Sequence, residues 1–174
     1  SITKLRDYLI SSKEDEESCL LDFINDVNTK DIHILSSAGY GKTNIACNIC
    51  IEILEKNIPS LLILGSSFRK TELPQTIILE QLGINTQYTF KQFLQALNTL
   101  GFTKGVKISI IIDGLNESKP FDDIWKSNIK DIIRDINELE YVLLITTCRN
   151  RYVEAIFEEP DITKIPNTKT LSGL

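Results

Sequence analysis

The sequence is poor in several residue types that particular functions require. It has no methionine, one histidine and one tryptophan among 174 residues. The single histidine leaves a mixed Cys/His zinc site few ligands. No apolar run approaches the roughly 18 to 20 residues that cross a bilayer, and no basic-then-apolar leader opens the chain. We therefore predict a cytoplasmic protein with no membrane partner.

Basic residues are also too few for a protein that binds nucleic acid mainly by charge. There are 19 Lys and Arg against 24 Asp and Glu, which gives a formal net charge of −5. Such binders are normally basic, so direct DNA or RNA binding by this segment is not favoured.

The four cysteines carry little sign of metal or redox chemistry. Cys47 and Cys50 form a C-x-x-C, whereas Cys19 and Cys148 have no motif spacing. Because Cys47 and Cys50 lie three apart on a predicted helix, we expect free thiols that pack as small apolar side chains.

The remaining pattern alternates apolar runs of strand length with segments of helical periodicity. Hydrophobic residues make up 42% of the chain, which is enough for one globular core. Strands are predicted at 32–35, 61–65, 108–112, 141–146 and 169–171, and helices at 43–56, 75–82, 89–100, 121–139 and 152–158. Residues 1–30 are predicted to be a helical lead-in to a core at 31–174. This pattern indicates a three-layer α/β fold with a parallel central sheet and helices on both faces.

A phosphate-binding loop is the strongest motif, and it lies between a predicted strand and a predicted helix. The segment Ser36-Ser37-Ala38-Gly39-Tyr40-Gly41-Lys42-Thr43 matches the last three positions of G-x-x-x-x-G-K-[ST]. Its glycines allow a tight turn in which backbone N–H groups point at phosphate oxygens. We predict that residues 37–43 bind nucleotide, that Lys42 neutralises the β and γ phosphates, and that the Thr43 hydroxyl ligates Mg²⁺.

Two further polar segments follow predicted strands. Asp113 ends the isoleucine-rich run and is a predicted Mg²⁺ ligand, while Glu117 is predicted to position the attacking water. Thr147 is a candidate to bind phosphate or that water, and Arg149 is a candidate to contact the γ phosphate. Ligands of such sheets bind at the carboxyl ends of the strands, so we expect these groups to converge.

These three segments resemble those of the STAND class of signal-transduction NTPases, and within it NACHT-type domains. Ile110-Ile111-Ile112-Asp113-Gly114-Leu115-Asn116-Glu117 and Leu144-Ile145-Thr146-Thr147-Cys148-Arg149 carry the resemblance together with the phosphate loop. It implies an ATP/ADP switch with Mg²⁺ that controls self-association, in immune or antiviral-type defence. It also implies that this segment belongs to a larger multidomain protein. Hydrolysis is expected to be slow because Asn116 removes one candidate for positioning water.

Two departures keep other functions open. Ser36 replaces the first loop glycine, and Asn116 stands where the resembled class often has an acidic residue. The alternatives are an AAA+-like ATPase that loads or remodels another macromolecule, and a nucleotide-binding module without turnover. A GTPase is disfavoured because no Asn-Lys-x-Asp segment is present. His33 and Trp125 are predicted to belong to the core.

Overall fold

The computed structural model describes residues 28–69, 72–84, 87–126 and 128–171. Within these ranges, five parallel strands form one sheet in the order β2-β3-β4-β1-β5. The strands are β1 (Asp31–Ser36), β2 (Ser60–Leu64), β3 (Ile108–Asp113), β4 (Val142–Arg149) and β5 (Thr168–Thr170). All five predicted strands are confirmed. The predicted helical lead-in lies almost entirely outside the described residues.

The helices connect consecutive strands and cover both faces of the sheet. They are α1 (Lys42–Glu55), α2 (Pro74–Gln81), α3 (Phe90–Lys104), α4 (Phe121–Trp125), α5 (Asn128–Asn137) and α6 (Val153–Phe157). Buried residues of α1 pack on one face, and those of α2 to α6 pack on the other. The predicted three-layer α/β architecture is therefore confirmed.

One predicted helix is two helices in the structure. The pattern over 121–139 predicts a single helix, but α4 ends at Trp125 and α5 begins at Asn128. Asn128 Nδ2 donates to the carbonyl oxygen of Ile124 at 2.7 Å. A side-chain bond of this kind competes with the backbone bond that would continue a helix, which is a local preference that apolar periodicity does not show.

Strand β4 is longer than predicted, and this changes the setting of two candidate residues. It continues to Arg149 because β1 pairs with it through the register Ser36 to Arg149. Thr147 and Arg149 therefore belong to a strand, whereas the sequence predicted a loop after residue 146. Their positions are fixed by the sheet rather than by a turn.

The strand order places β4 between the strand that precedes the phosphate loop and the strand that carries Asp113. Neighbouring strands in a sheet lie about 4.8 Å apart, so β1 and β3 are about 10 Å apart across β4. The carboxyl end of β4 is consequently the floor between the phosphate loop and Asp113.

His33 and Trp125 are both buried, as predicted. His33 Nδ1 lies 2.7 Å from Thr146 Oγ1, and its Nε2 lies 2.9 Å from Asp31 Oδ2. Trp125 is fully buried, with its ring centroid 4.7 Å from that of Phe68. Cys47 and Cys50 are both free thiols on α1, and Cys50 is buried in the core while Cys47 is half-buried.

Candidate nucleotide site

The phosphate loop joins β1 directly to the first turn of α1. Gly39 and Gly41 have φ angles of 85° and 74°, a left-handed conformation that favours glycine. Gly41 caps α1, and Lys42 is the first helical residue. The positive end of a 14-residue helix thus faces the loop, as phosphate binding requires.

Ser36 does not disturb this loop. It is the last residue of β1, it is fully buried, and it pairs with Arg149. The described residues with left-handed backbone include Gly39 and Gly41 but not Ser36. Because the position has strand geometry, it does not need glycine.

Lys42 folds back over the loop that precedes it. Its Nζ donates to Ser36 Oγ at 2.8 Å, to the Ser37 carbonyl at 2.8 Å and to the Ser36 carbonyl at 3.4 Å. Partial burial, followed by repulsion from the Arg149 guanidinium, lowers the pKa of Lys42 from its ordinary value of 10.5. A bound anion would therefore stabilise the neighbouring positive charges of Lys42 and Arg149.

Asp113 and Thr147 form a buried pair at the floor of the site. The Thr147 hydroxyl donates to Asp113 Oδ1 at 2.6 Å and accepts from the Gly114 backbone N–H at 2.8 Å. The hydroxyl therefore orients the carboxylate and the start of the loop after β3. The contact of Thr147 with a phosphate or with the attacking water stays a prediction, and Thr147 does line the cavity.

Asn116 and Glu117 occupy the short 3₁₀ turn Leu115–Glu117 after β3. Asn116 Oδ1 accepts from the Arg149 backbone N–H at 3.0 Å, so it joins this turn to the end of β4. The exposed Glu117 side chain lies over Gly114, where an added Cβ would be 2.9 Å from its Cδ. In the sequence, Asn116 stands out only as a departure from a family pattern, and no motif indicates this contact.

A network of buried hydrogen bonds also holds this 3₁₀ turn in place. Trp125 Nε1 donates to Ser118 Oγ at 2.8 Å and to the Leu115 carbonyl at 3.0 Å, and Ser118 Oγ donates to the Gly65 carbonyl at 2.9 Å. A Cβ at Gly65 would lie 2.0 Å from the Gly114 carbonyl oxygen, so only glycine permits this approach. No motif in the sequence points to Gly65 or Ser118.

These groups line one open cavity of about 280 Å³ at the carboxyl edge of the sheet. The predicted site residues on its wall are Gly39, Gly41, Lys42, Thr43, Asp113, Glu117, Thr147 and Arg149. Asn44, Gly114 and Asn116 line it as well. The predicted loop residues Ser37, Ala38 and Tyr40 are exposed and are not part of this wall.

The donor set fits a magnesium nucleotide. Thr43 and Asp113 present a hydroxyl and a carboxylate to the same cavity, and Mg²⁺ is held by a few such oxygens together with phosphates and waters. The described residues contain no cluster of three or more His, Cys, Asp or Glu that would hold a metal alone.

Within the described part of the chain, no helix is long and apolar enough to span a membrane.

Solved structures share this architecture. Cdc6p from Pyrobaculum aerophilum matches with a TM-score of 0.59 at 15% identity over 92% of this chain and 45% of its own. ORC2 of Aeropyrum pernix in its ADP form gives 0.55 at 13% identity over 91% and 46%. Drosophila ORC, bound to AT-rich DNA and Cdc6, gives 0.55 at 11% identity over 95% and 57%.

The chain has a P-loop NTPase fold. It spans about half the length of these structures, and at such low identities the similarity concerns the fold alone. The match does not single out the STAND class that the sequence resembles. No protein-family model and no curated protein matches the sequence.

Proposed function

We propose that this chain is the ATP-binding and hydrolysing module of a larger AAA+-like protein that acts on another macromolecule. The observation that carries the proposal is the convergence in one cavity of Lys42 and Thr43 from α1 with Asp113 and Glu117 from the end of β3. The fold shared with Cdc6 and ORC proteins supports it, and one of those structures holds ADP.

Each residue has a defined task in this proposal. Lys42 and the amides of the loop bind the phosphates, and Thr43 and Asp113 are the ligands for Mg²⁺, which would neutralise charge on the phosphates. Thr147 orients the Asp113 carboxylate through the 2.6 Å bond. Glu117 orients water, and Arg149 contacts the γ phosphate. The full-length protein is proposed to self-associate, because AAA+-like enzymes commonly need an arginine from a neighbouring subunit.

A STAND-type switch, with a role in immune or antiviral-type defence, is the second candidate. One observation favours it: Arg149 lies at the end of β4 and lines the cavity, where a contact with the γ phosphate would distinguish ATP from ADP within a single chain. A module that binds nucleotide without turnover is the third candidate, because Asn116 offers no carboxylate to activate water.

The experiment that tests the proposal is calorimetry with ATP and ADP, with and without Mg²⁺, on the wild-type chain and on Lys42→Ala. We expect Lys42→Ala to weaken binding about 10- to 100-fold, because bonds between charged partners contribute about 1.5–3 kcal/mol. Lys56→Ala is the matched control, since Lys56 is an exposed lysine at the far end of α1. Equal affinity in all three proteins would refute nucleotide binding at this loop.

Turnover then separates the three candidates. We expect slow phosphate release that Glu117→Gln abolishes while ATP binding is retained. A rate per chain that rises with protein concentration supports the AAA+-like module, because the stimulating arginine comes from a neighbour. A slow rate that is independent of concentration supports the switch, and no phosphate release with intact binding supports the module without turnover.

A further inference from the structure

The Ser36 side chain is a feature of the phosphate loop that the proposed chemistry does not use. The usual loop has glycine at this position and therefore no side chain. In this chain the Ser36 hydroxyl is buried, donates to the Ser37 carbonyl at 3.1 Å, and accepts from Lys42 Nζ at 2.8 Å. A residue that departs from the loop pattern thus contacts the side chain that is expected to bind phosphate.

Contacts with the loop occupy all three hydrogen-bond donors of the Lys42 ammonium group. An ammonium group has three donors, and Lys42 Nζ has three acceptors, which are the hydroxyl and carbonyl of Ser36 and the carbonyl of Ser37. All three belong to the last residue of β1 and the residue that follows it. A phosphate that binds Lys42 must therefore displace at least one of them.

The hydroxyl is the acceptor that this sequence adds. The two carbonyls belong to the backbone and would be present with glycine at position 36, and the strand geometry of Ser36 places no demand on its side chain. The distance of 2.8 Å is that of a good charge-assisted bond. The serine consequently stabilises the arrangement in which Lys42 bonds to the loop.

We propose that Ser36 is an affinity-determining residue whose hydroxyl holds Lys42 against the loop, so that nucleotide phosphates must compete with it for the lysine. This inference rests on the proposed nucleotide site. The bond between Ser36 and Lys42 makes the nucleotide-free form more stable than it would be with glycine at position 36. We therefore expect weaker binding of both ATP and ADP than in a loop with that glycine.

Removal of the hydroxyl tests the competition. In calorimetry, Ser36→Ala should bind MgATP about three- to tenfold more tightly than wild type, the range expected for the loss of one net hydrogen bond. Ser36→Gly should act in the same direction, and it serves as the second variant if Ser36→Ala does not fold. Ser60→Ala is the matched control, because it removes a serine–serine bond of 2.6 Å at the opposite edge of the sheet.

A second measurement needs no nucleotide. Reductive methylation of the nucleotide-free chain, quantified by peptide mass spectrometry, reports how freely each lysine amine reacts. Relative to Lys56 in the same sample, labelling of Lys42 should rise about threefold in Ser36→Ala and remain at the wild-type level in Ser60→Ala. The comparison within one sample corrects for reagent and pH.

The outcomes separate this inference from the proposed function. Unchanged labelling of Lys42, or unchanged or weaker nucleotide binding by Ser36→Ala, overturns the role of Ser36. If neither wild type nor Ser36→Ala binds any nucleotide while labelling rises, the proposed function fails but the hydrogen bond between Ser36 and Lys42 stands. Tighter binding together with faster labelling supports both.

Discussion

The hydroxyl of Thr147 has the most sharply defined structural role in the site, and its removal gives a measurable result. Thr147→Val keeps the branched shape of the side chain but deletes the donor to Asp113 Oδ1 and the acceptor of the Gly114 N–H. A buried N–H without an acceptor costs about 1–3 kcal/mol, and the lost bond to the carboxylate adds about 1.5–3 kcal/mol before relaxation. We expect Thr147→Val to lower the free energy of unfolding by about 2–4 kcal/mol.

Thr147→Ser is the matched control for this variant. It retains the hydroxyl and loses one buried methyl group, which costs about 1 kcal/mol. Urea unfolding followed by circular dichroism gives both values, with the slope m confirming that the same surface is exposed. If Thr147→Val is no less stable than Thr147→Ser, then the hydroxyl does not stabilise the end of β3.

The same pair of variants also tests the link from this bond to the metal. Without the bond from Thr147, the Asp113 carboxylate should bind Mg²⁺ less well. Addition of Mg²⁺ should therefore raise the affinity for ATP by a smaller factor in Thr147→Val than in wild type, and by the wild-type factor in Thr147→Ser. An equal effect of Mg²⁺ in both variants would contradict the positioning role of Thr147.

Two other buried groups near the site lead to predictions. Trp125→Phe keeps a ring against the core but deletes the Nε1–H group that donates to Ser118 and to a backbone carbonyl. Urea unfolding should therefore show a free energy of unfolding lower by about 1–2 kcal/mol. Equal stability of the two proteins would refute the structural role of this N–H. Burial raises the pKa of Cys148 from 9.0 to about 12. Because the native thiol stays protonated where the unfolded thiol ionises, its contribution to the free energy of unfolding is full below about pH 9 and is lost as the pH rises to about 12. Over that window the free energy of unfolding should fall more steeply in wild type than in Cys148→Ala, and parallel profiles would contradict this.

The local features of the fold could be predicted from the sequence because short-range physics determines them. The apolar composition of the run Ile108 to Ile112 alone predicts a buried strand, since both faces of a parallel sheet are covered and its strands are apolar throughout. The glycines before Lys42 imply a tight turn into a helix, and the structure has that turn. Helix boundaries were less predictable, as the end of α4 at Trp125 shows, because a side-chain bond from Asn128 intervenes.

The composition of the candidate site was also largely predictable, but its connections were not. Sequence motifs named eight of the eleven residues on the cavity wall, because parallel strands end at one edge and bring their loops together there. Nothing in the motifs indicated that Thr147 would orient Asp113, or that Asn116 would bond to the end of β4. These pairs are 33 or 34 residues apart in sequence, and only the pairing of strands makes them neighbours.

The fold class and the chemical identity of the groups at the carboxyl edge thus follow from the order of the amino acids, because apolar periodicity and loop glycines act over a few residues. The strand order that places β4 between β1 and β3 emerges only when the chain is folded, and it makes Thr147 a partner of Asp113 and Asn116 a partner of Arg149. Only in the folded chain, too, does Gly65 lie against Gly114 and does Ser36 accept a bond from Lys42. Those contacts depend on distances between separate elements, which are set by packing of the whole core rather than by any local run of residues.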